Sequence, residues 1–279
     1  MSIWAHTLVK NEDRYLWFAV TSVVDYVDKI LLWDTGSTDD TIKVAKELKR
    51  RYLERIDFRQ VVQKDIYDFT DVRQQMLNET RSSWLMILDG DEVWWDQKIR
   101  QVVQVIKERS NGNLETIVTP YYNVVGDIFH YQEESAGMYS IDSKKGHYNI
   151  RFVNRQIPEL HFNKPHGQQG LFDRNGVLIQ DREKTNRKLV DAKCYLHFTN
   201  VLRSTKNDYF VPKRKTKMKY ELGVKFQKDF YYPEAFFKPT PSFITSPWGK
   251  MGGDFVKKAL LQTPLRKVKR RFFNRRVGY

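Results

Sequence analysis

Apolar blocks alternate with amphipathic ones along the first hundred residues. SIWAHTLVKN (2–11) is a short apolar run and predicts a buried strand. In EDRYLWFAVTSVVDYV (12–27), Leu16, Ala19, Val20, Val23, Val24 and Val27 fall at helical spacing. KILLWD (29–34) is a continuous apolar run closed by an aspartate, as in a strand covered on both faces. TGSTDD is turn chemistry with Ser37 or Thr38 as N-cap for a second helix, DTIKVAKELKRRYL. DFRQVVQ (57–63) predicts a third strand, TDVRQQMLNET (70–80) a third helix and WLMILD (84–89) a fourth strand. Strand and helix therefore alternate four times, the pattern of an open, mostly parallel sheet with helices on both faces.

Beyond residue 97 the alternation weakens. QKIRQVVQVIKE reads as a helix, and LETIVTPYYNVVG, HYNIRFVNR and DAKCYLHFTN (191–200) read as strands. A polar helix follows near 206–222. Residues 229–249 mix aromatics with four prolines and predict an irregular arm. There is no internal repeat and no low-complexity tract.

The strand ends carry the chemistry. Asn11 and Glu12, Asp34, and the run Asp89-Gly90-Asp91-Glu92 each follow a predicted strand. Ligands of open α/β sheets sit at the carboxyl ends of the strands, so these groups should line one rim. Two carboxylates two residues apart can bring oxygens to one hard divalent cation, magnesium- or manganese-like. Gly90 lets the backbone turn tightly and gives a ligand room to approach. Such an ion would bridge the phosphates of a nucleotide. Each residue has a plainer reading as well: Asn11-Glu12 as a helix start, Ser37 and Asp39 as helix caps, Arg73 as a solvated charge.

VKNEDRYL, LLWDTGSTDDT, FTDVRQQML and WLMILDGDE, in this order and spacing, resemble the family 2 glycosyltransferases of the GT-A fold. The likeness is strong over residues 4–110, loose over 111–200 and absent beyond. It implies an inverting enzyme that moves a sugar from a nucleotide-sugar, usually UDP-linked, to a hydroxyl of a glycan or lipid-linked acceptor, with Mn2+ or Mg2+. By resemblance, Asn11 and Glu12 hold base and ribose, Asp34 faces the base edge, and Gly36, Ser37 and Asp39 shape that turn. Arg73 matches an arginine lying over the nucleotide, although Gln74 stands where the family usually has Asn. Asp89 matches the ribose-side carboxylate and Asp91 the metal ligand, with Glu92 extending the motif. His197 in CYLHFTN suits the family's additional metal ligand, or a core histidine. His166 stands where relatives carry His-Glu, but Gly167 follows it, so the base is unassigned; Glu159 and Asp173 are nearby substitutes.

Charge changes the picture at one end. The formal net charge is +14, and residues 1–200 contribute none of the excess. It lies in residues 201–249 and most densely in 250–279, with ten Lys and Arg against one acid. DFVKKALLQTPLRKVKRRFFNRR (254–276) sets Leu265, Val268, Phe272 and Phe273 at helical spacing among cations, with Pro264 kinking the helix or starting its second half. This is either a surface-seeking element for an anionic membrane or a helix packing its stripe on the domain. Nucleic acid is disfavoured, since no aromatic-interleaved readout motif accompanies the charge. The expected division is a GT-A domain over 1–200, with a nucleotide half (1–110) and an acceptor half (111–200), and a basic extension over 201–279.

The single cysteine, Cys194, excludes an internal disulfide and a cysteine-based zinc site. No secretion signal and no membrane-spanning run of ~18 apolar residues is read. A cytoplasmic enzyme, peripheral on the membrane if the tail seeks lipid, is expected. Two rivals are weighed. A sugar nucleotidyltransferase would open with a glycine-rich loop after the first strand, and VKNEDRYL has no glycine. A basic membrane- or nucleic-acid-binding module leaves the rim carboxylates unexplained.

Overall fold

The computed structural model describes residues 1–62, 68–109, 112–165, 168–206 and 218–272. Three strand–helix units and a fourth strand open it: β1 (Ile3–Val9), α1 (Leu16–Val23), β2 (Lys29–Asp34), α2 (Thr41–Arg51), β3 (Ile56–Gln60), α3 (Asp68–Glu79) and β4 (Trp84–Ile87). A short β5 (Glu92–Trp94) and α4 (Asp96–Glu108) follow, then β6 (Thr116–Val125), β7 (Asp127–Tyr131) and the hairpin β8 (Tyr139–Ile141) with β9 (Lys144–Gly146). β10 (Tyr148–Asn154), the hairpin β11 (His161–Asn163) with β12 (Gly170–Phe172), β13 (Arg187–Leu189), β14 (Tyr195–Asn200), β15 (Val224–Lys225) and α5 (Gly253–Phe272) complete the chain.

The main sheet runs β3-β2-β1-β4-β10-β6-β7-β15. β3, β2, β1 and β4 are parallel, and β10 runs antiparallel between β4 and β6. The alternating side chains explain why β2 is apolar from Ile30 to Trp33. Ile30 and Leu32 join the cluster under α1, α2 and α4, while Leu31 and Trp33 join Val72 and Met76 of α3 on the opposite face. Both faces of β2 are thus dry, as a parallel strand between helical layers requires.

β6 changes partners at Pro120, which has no N–H to give a ladder. Residues 116–118 pair with β13 and 116–120 with β10, whereas 121–125 pair with β14 and 124–125 with β7. β14 also pairs antiparallel with β5, setting His197 opposite Glu92. This fork was not readable from periodicity, and it carries a late histidine to the acidic strand end.

The C-terminal arm is joined to the core. Phe226, Ala235, Phe236 and Ile244 belong to the cluster beneath α1, and Trp95 Nε1 donates to the Tyr231 carbonyl at 2.9 Å. Apart from one 3-10 turn, Glu234–Phe237, residues 229–249 are irregular as expected. Of the helix expected near 206–222, residues 218–222 are irregular and 207–217 lie outside the described residues. α5 is a single helix running through Pro264; Phe273 and the rest of the tail lie outside the described residues.

Candidate active site

Two strand ends are tied together first. Asn11 has a left-handed backbone, φ 55°, which asparagine tolerates. Its amide donates to Ser37 Oγ at 2.8 Å, and its side-chain oxygen accepts from Thr38 N at 2.8 Å. Asp34, fully buried, accepts from Gly36 N at 2.9 Å, from Ser37 N at 3.0 Å and from the Ser37 hydroxyl. Gly36 has φ 91°, a conformation an L side chain strains to adopt. Asp34 therefore closes its own turn, and that turn holds Asn11.

Ser37 and Thr38 do not cap α2. Asp40 is the N-cap, without a side-chain cap bond, and Asp39 instead accepts from Thr41 N at 2.9 Å and from Ser204 Oγ at 2.6 Å. Asp39 thus fastens the start of α2 to the chain beyond β14. The Glu12 amide donates to Thr41 Oγ1 at 2.7 Å, which locks the same corner.

The acidic turn after β4 faces three arginines and a histidine. A Cβ on Gly90 would stand 2.9 Å from Val9 Cγ1 and 3.3 Å from Glu12 Cβ, so glycine here lets the β4 turn close on β1 rather than leaving space. Arg151, from the middle of β10 and almost wholly buried, pairs with Asp89 at 2.7 Å and with Glu92. Arg73 on α3 reaches Asp89 at 3.5 Å. Arg203, just beyond β14, bridges Asp91 at 2.9 Å and Glu12 at 3.0 Å. His197 presents Nε2 to Asp91 at 3.4 Å and Nδ1 to Glu92 at 3.8 Å.

Burial and these partners set the protonation states. Burial pushes Asp89 up, but Arg151 and Arg73 outweigh it and hold the carboxyl below its usual range, although a third of the side chain reaches solvent. Glu92 is fully enclosed, and burial raises it to about 7 despite Arg151. Burial would lower His197; the charge and hydrogen bond of Asp91 prevail and raise it above an ordinary histidine.

Ligand atoms of Asp89, Glu92 and His197 lie within 4.8 Å of one another. Carboxylate oxygens with one imidazole nitrogen form a donor set that suits Mn2+ or Mg2+. The sequence expected Asp91 with His197 as the pair. The structure does bring these two together, but the converging trio is Asp89, Glu92 and His197, with Arg203 on the second oxygen of Asp91. Of the substitute bases, Asp173 is taken up by Asn175 N, Val177 N and Arg182, and Glu159 pairs with Arg174 at the surface. His166 and Gly167 lie outside the described residues.

Arg151 and Arg203 were not anticipated from the sequence. Arg151 left a signal: a cation inside the apolar run of HYNIRFVNR needs a buried carboxylate opposite it. Arg203 left none.

The family model for Glycosyl transferase family 2 matches residues 6–167. Among curated proteins, the SPbeta prophage-derived glycosyltransferase SunS of Bacillus subtilis is 25% identical over 117 residues, 41% of this chain and 26% of that protein. The match thus spans about a quarter of that relative's length. Among solved structures, TarS 1-349 of S. aureus in complex with UDP superposes at a TM-score of 0.48 and 10% identity, over 71% of this chain and 60% of that one. Glucosyl-3-phosphoglycerate synthase from Mycobacterium tuberculosis, in complex with Mn2+, UDP and phosphoglyceric acid, gives 0.32 and 19%, over 44% and 43%. Since the family match takes in more than half of the chain, from the first strand through the acidic turn to β11, the protein belongs to glycosyl transferase family 2, with the GT-A fold.

Proposed function

We propose that the protein transfers a sugar from a nucleotide-sugar, UDP-linked in the first instance, to a hydroxyl of a glycan or lipid-linked acceptor with inversion at the sugar carbon. The observation that carries this reading is the convergence of Asp89, just after β4, Glu92 at the start of β5 and His197 in the middle of β14, beside the turn that Asp34 closes. Asn11, Glu12, Asp34 and Gly36 form the wall for base and ribose. Arg73, packed with its guanidinium 5.2 Å from the Phe69 ring, covers that wall from α3. Asp89 with His197, joined by Glu92 or Asp91, would hold Mn2+ or Mg2+, which when bound neutralises the diphosphate as it leaves.

The arginines have a definite part in this scheme. Each neutralises a carboxylate that would otherwise repel its neighbours, so the acidic turn can fold without a cation. Arg203 and Arg151 are then the groups a divalent cation has to share the carboxylates with. We take residues 1–200 as the transferase unit, donor half 1–110 and acceptor half 111–200, with 201–279 an extension whose described parts pack on it. A reducing, cytoplasmic setting suits the lone buried Cys194. Among the described residues, no helix is long and apolar enough to cross a membrane.

A thermal-shift scan of nucleoside diphosphates, with and without Mn2+, tests the reading. UDP should raise the melting temperature, more so with Mn2+ than the sum of the separate shifts. Stabilisation by nucleoside triphosphates alone, or by none of the nucleotides, would overturn it.

A further inference from the structure

α5 is clamped to the protein by one face only. At about 100° per residue, Phe255, Ala259, Thr263, Arg266 and Arg270 share a side of the helix. Ala259 on that side is fully buried, and Thr263 Oγ1 accepts from Leu222 N at 3.1 Å. Arg270 pairs with the buried Glu221 at 2.6 Å, and Glu221 in turn accepts from Gln132 at 2.7 Å. The Phe255 ring lies 5.2 Å from that of Tyr220. These contacts anchor the helix over most of its length.

The opposite side holds Leu261, Leu265, Val268 and Phe272, at i, i+4, i+7 and i+11, within an arc of roughly 60°. They are 76%, 71%, 54% and 68% exposed. Of the two readings of this stripe, packing on the domain does not hold for its described members: Leu265, Val268 and Phe272 point away from it. Lys257 and Arg271 fall along one margin, Lys258 and Lys269 along the other. The helix carries seven Lys and Arg against a single acid, Asp254.

We infer that α5 is a docked interfacial helix whose outer face sits on an anionic lipid surface. An apolar stripe rimmed on both sides by cations matches the boundary between acyl chains and negatively charged headgroups. Charge decides against a second copy of the same face, since two such helices would oppose cation to cation. It also separates lipid from nucleic acid, which would take the cations and leave the stripe in water. Because the clamp fixes α5 on the protein, the surface would be met in one orientation. This inference stands independently of the donor and the metal.

The test is sedimentation of the full-length protein with vesicles of phosphatidylcholine, with and without phosphatidylglycerol. The protein should pellet with the anionic vesicles and not with the neutral ones. It should be released as salt rises above about 0.1 M, where exposed charges are screened within ~10 Å. Leu261→Ser with Leu265→Ser keeps every charge and should lower partitioning about tenfold or more without moving the melting temperature. Unchanged vesicle binding by that variant would overturn the inference, as would equal binding to neutral vesicles. A large loss of melting temperature would also overturn it, by showing that the stripe packs on the protein. So would a concentration-dependent dimer in the native protein that the double variant abolishes.

Discussion

Arg203 Nη1 donates to Asp91 Oδ2 at 2.9 Å, joining a residue beyond β14 to the turn after β4 across 112 positions of sequence. The same nitrogen lies 3.0 Å from Glu12 Oε1, so one guanidinium balances two carboxylates that are nearly excluded from solvent. Arg203→Gln removes the cation that the two carboxylates share. Removing one partner of a buried pair costs about 3–5 kcal/mol, and a loss of that order is expected in urea unfolding. Mn2+ should recover more of the lost stability in the variant than it adds to the native protein, because it no longer shares Asp91 with a cation. Equal Mn2+ effects in the two proteins would show that Arg203 and the metal do not meet at Asp91.

Asp34 is expected to matter to the fold as well as to the ligand. Its two oxygens accept from Gly36 N, Ser37 N and the Ser37 hydroxyl, and Ser37 Oγ accepts from Asn11 N. Asp34→Ala strands these donors, at about 1–3 kcal/mol for an unsatisfied buried group. UDP affinity should fall with it, since the wall that Asn11 contributes loses its support. Asp34→Asn, which keeps one acceptor oxygen, should recover part of both. A variant with native urea midpoint and only weakened UDP binding would place Asp34 on the ligand alone.

The first four strands and three helices were legible because each has a strong period or a strong interruption. β2 is the clearest instance: four consecutive apolar residues, Ile30 to Trp33, with alternate side chains in two different clusters. The rim followed, because residues after parallel strands share one end of a sheet. What could not be read was the pairing of β5 with β14. β5 is three residues long, and nothing local in Glu92-Val93-Trp94 says that its partner lies a hundred residues on. The convergence of Asp89, Glu92 and His197 depends on that pairing, which explains why Glu92 was read only as an extension of the motif. The two readings of the tail stayed open in the sequence for another reason. A helical stripe shows which residues share a face, and only the neighbours show which face is covered. In α5 the small and polar side, Ala259 and Thr263, does the docking.

His197 and the carboxylates around it can be separated by substitution. His197→Gln removes the imidazole nitrogen from the proposed metal site while leaving Asp89 and its arginines in place. The Mn2+-dependent part of the UDP thermal shift should then need roughly tenfold or more Mn2+ to saturate. UDP binding without metal should be unchanged. Asp91→Asn should abolish turnover as well, because the Asp91 carboxylate orients the imidazole and holds it above its usual pKa. Native Mn2+ dependence in His197→Gln would remove the histidine from the metal site.

Acid sensitivity should trace to His147 in part. Burial lowers this imidazole to about 4, although the Glu134 carboxylate and the Glu133 carbonyl, 3.1 Å from Nε2, pull the other way, so the native ring is neutral at pH 7. In the unfolded chain it takes a proton near the ordinary value of about 6.5. Between those values the unfolded state binds one more proton than the native one, so stability falls as pH drops from about 6.5 towards 4. At 1.36 kcal/mol per pKa unit the full span is worth about 3 kcal/mol, of which roughly 2 should be lost by pH 5. His6, buried and also lowered well below its usual value, acts in the same direction. Urea unfolding from pH 7 to 5 measures the slope, and His147→Gln should flatten it by close to one proton. An identical slope in that variant would mean that His147 is already protonated in the native protein, or that the loss belongs wholly to His6 and the carboxylates.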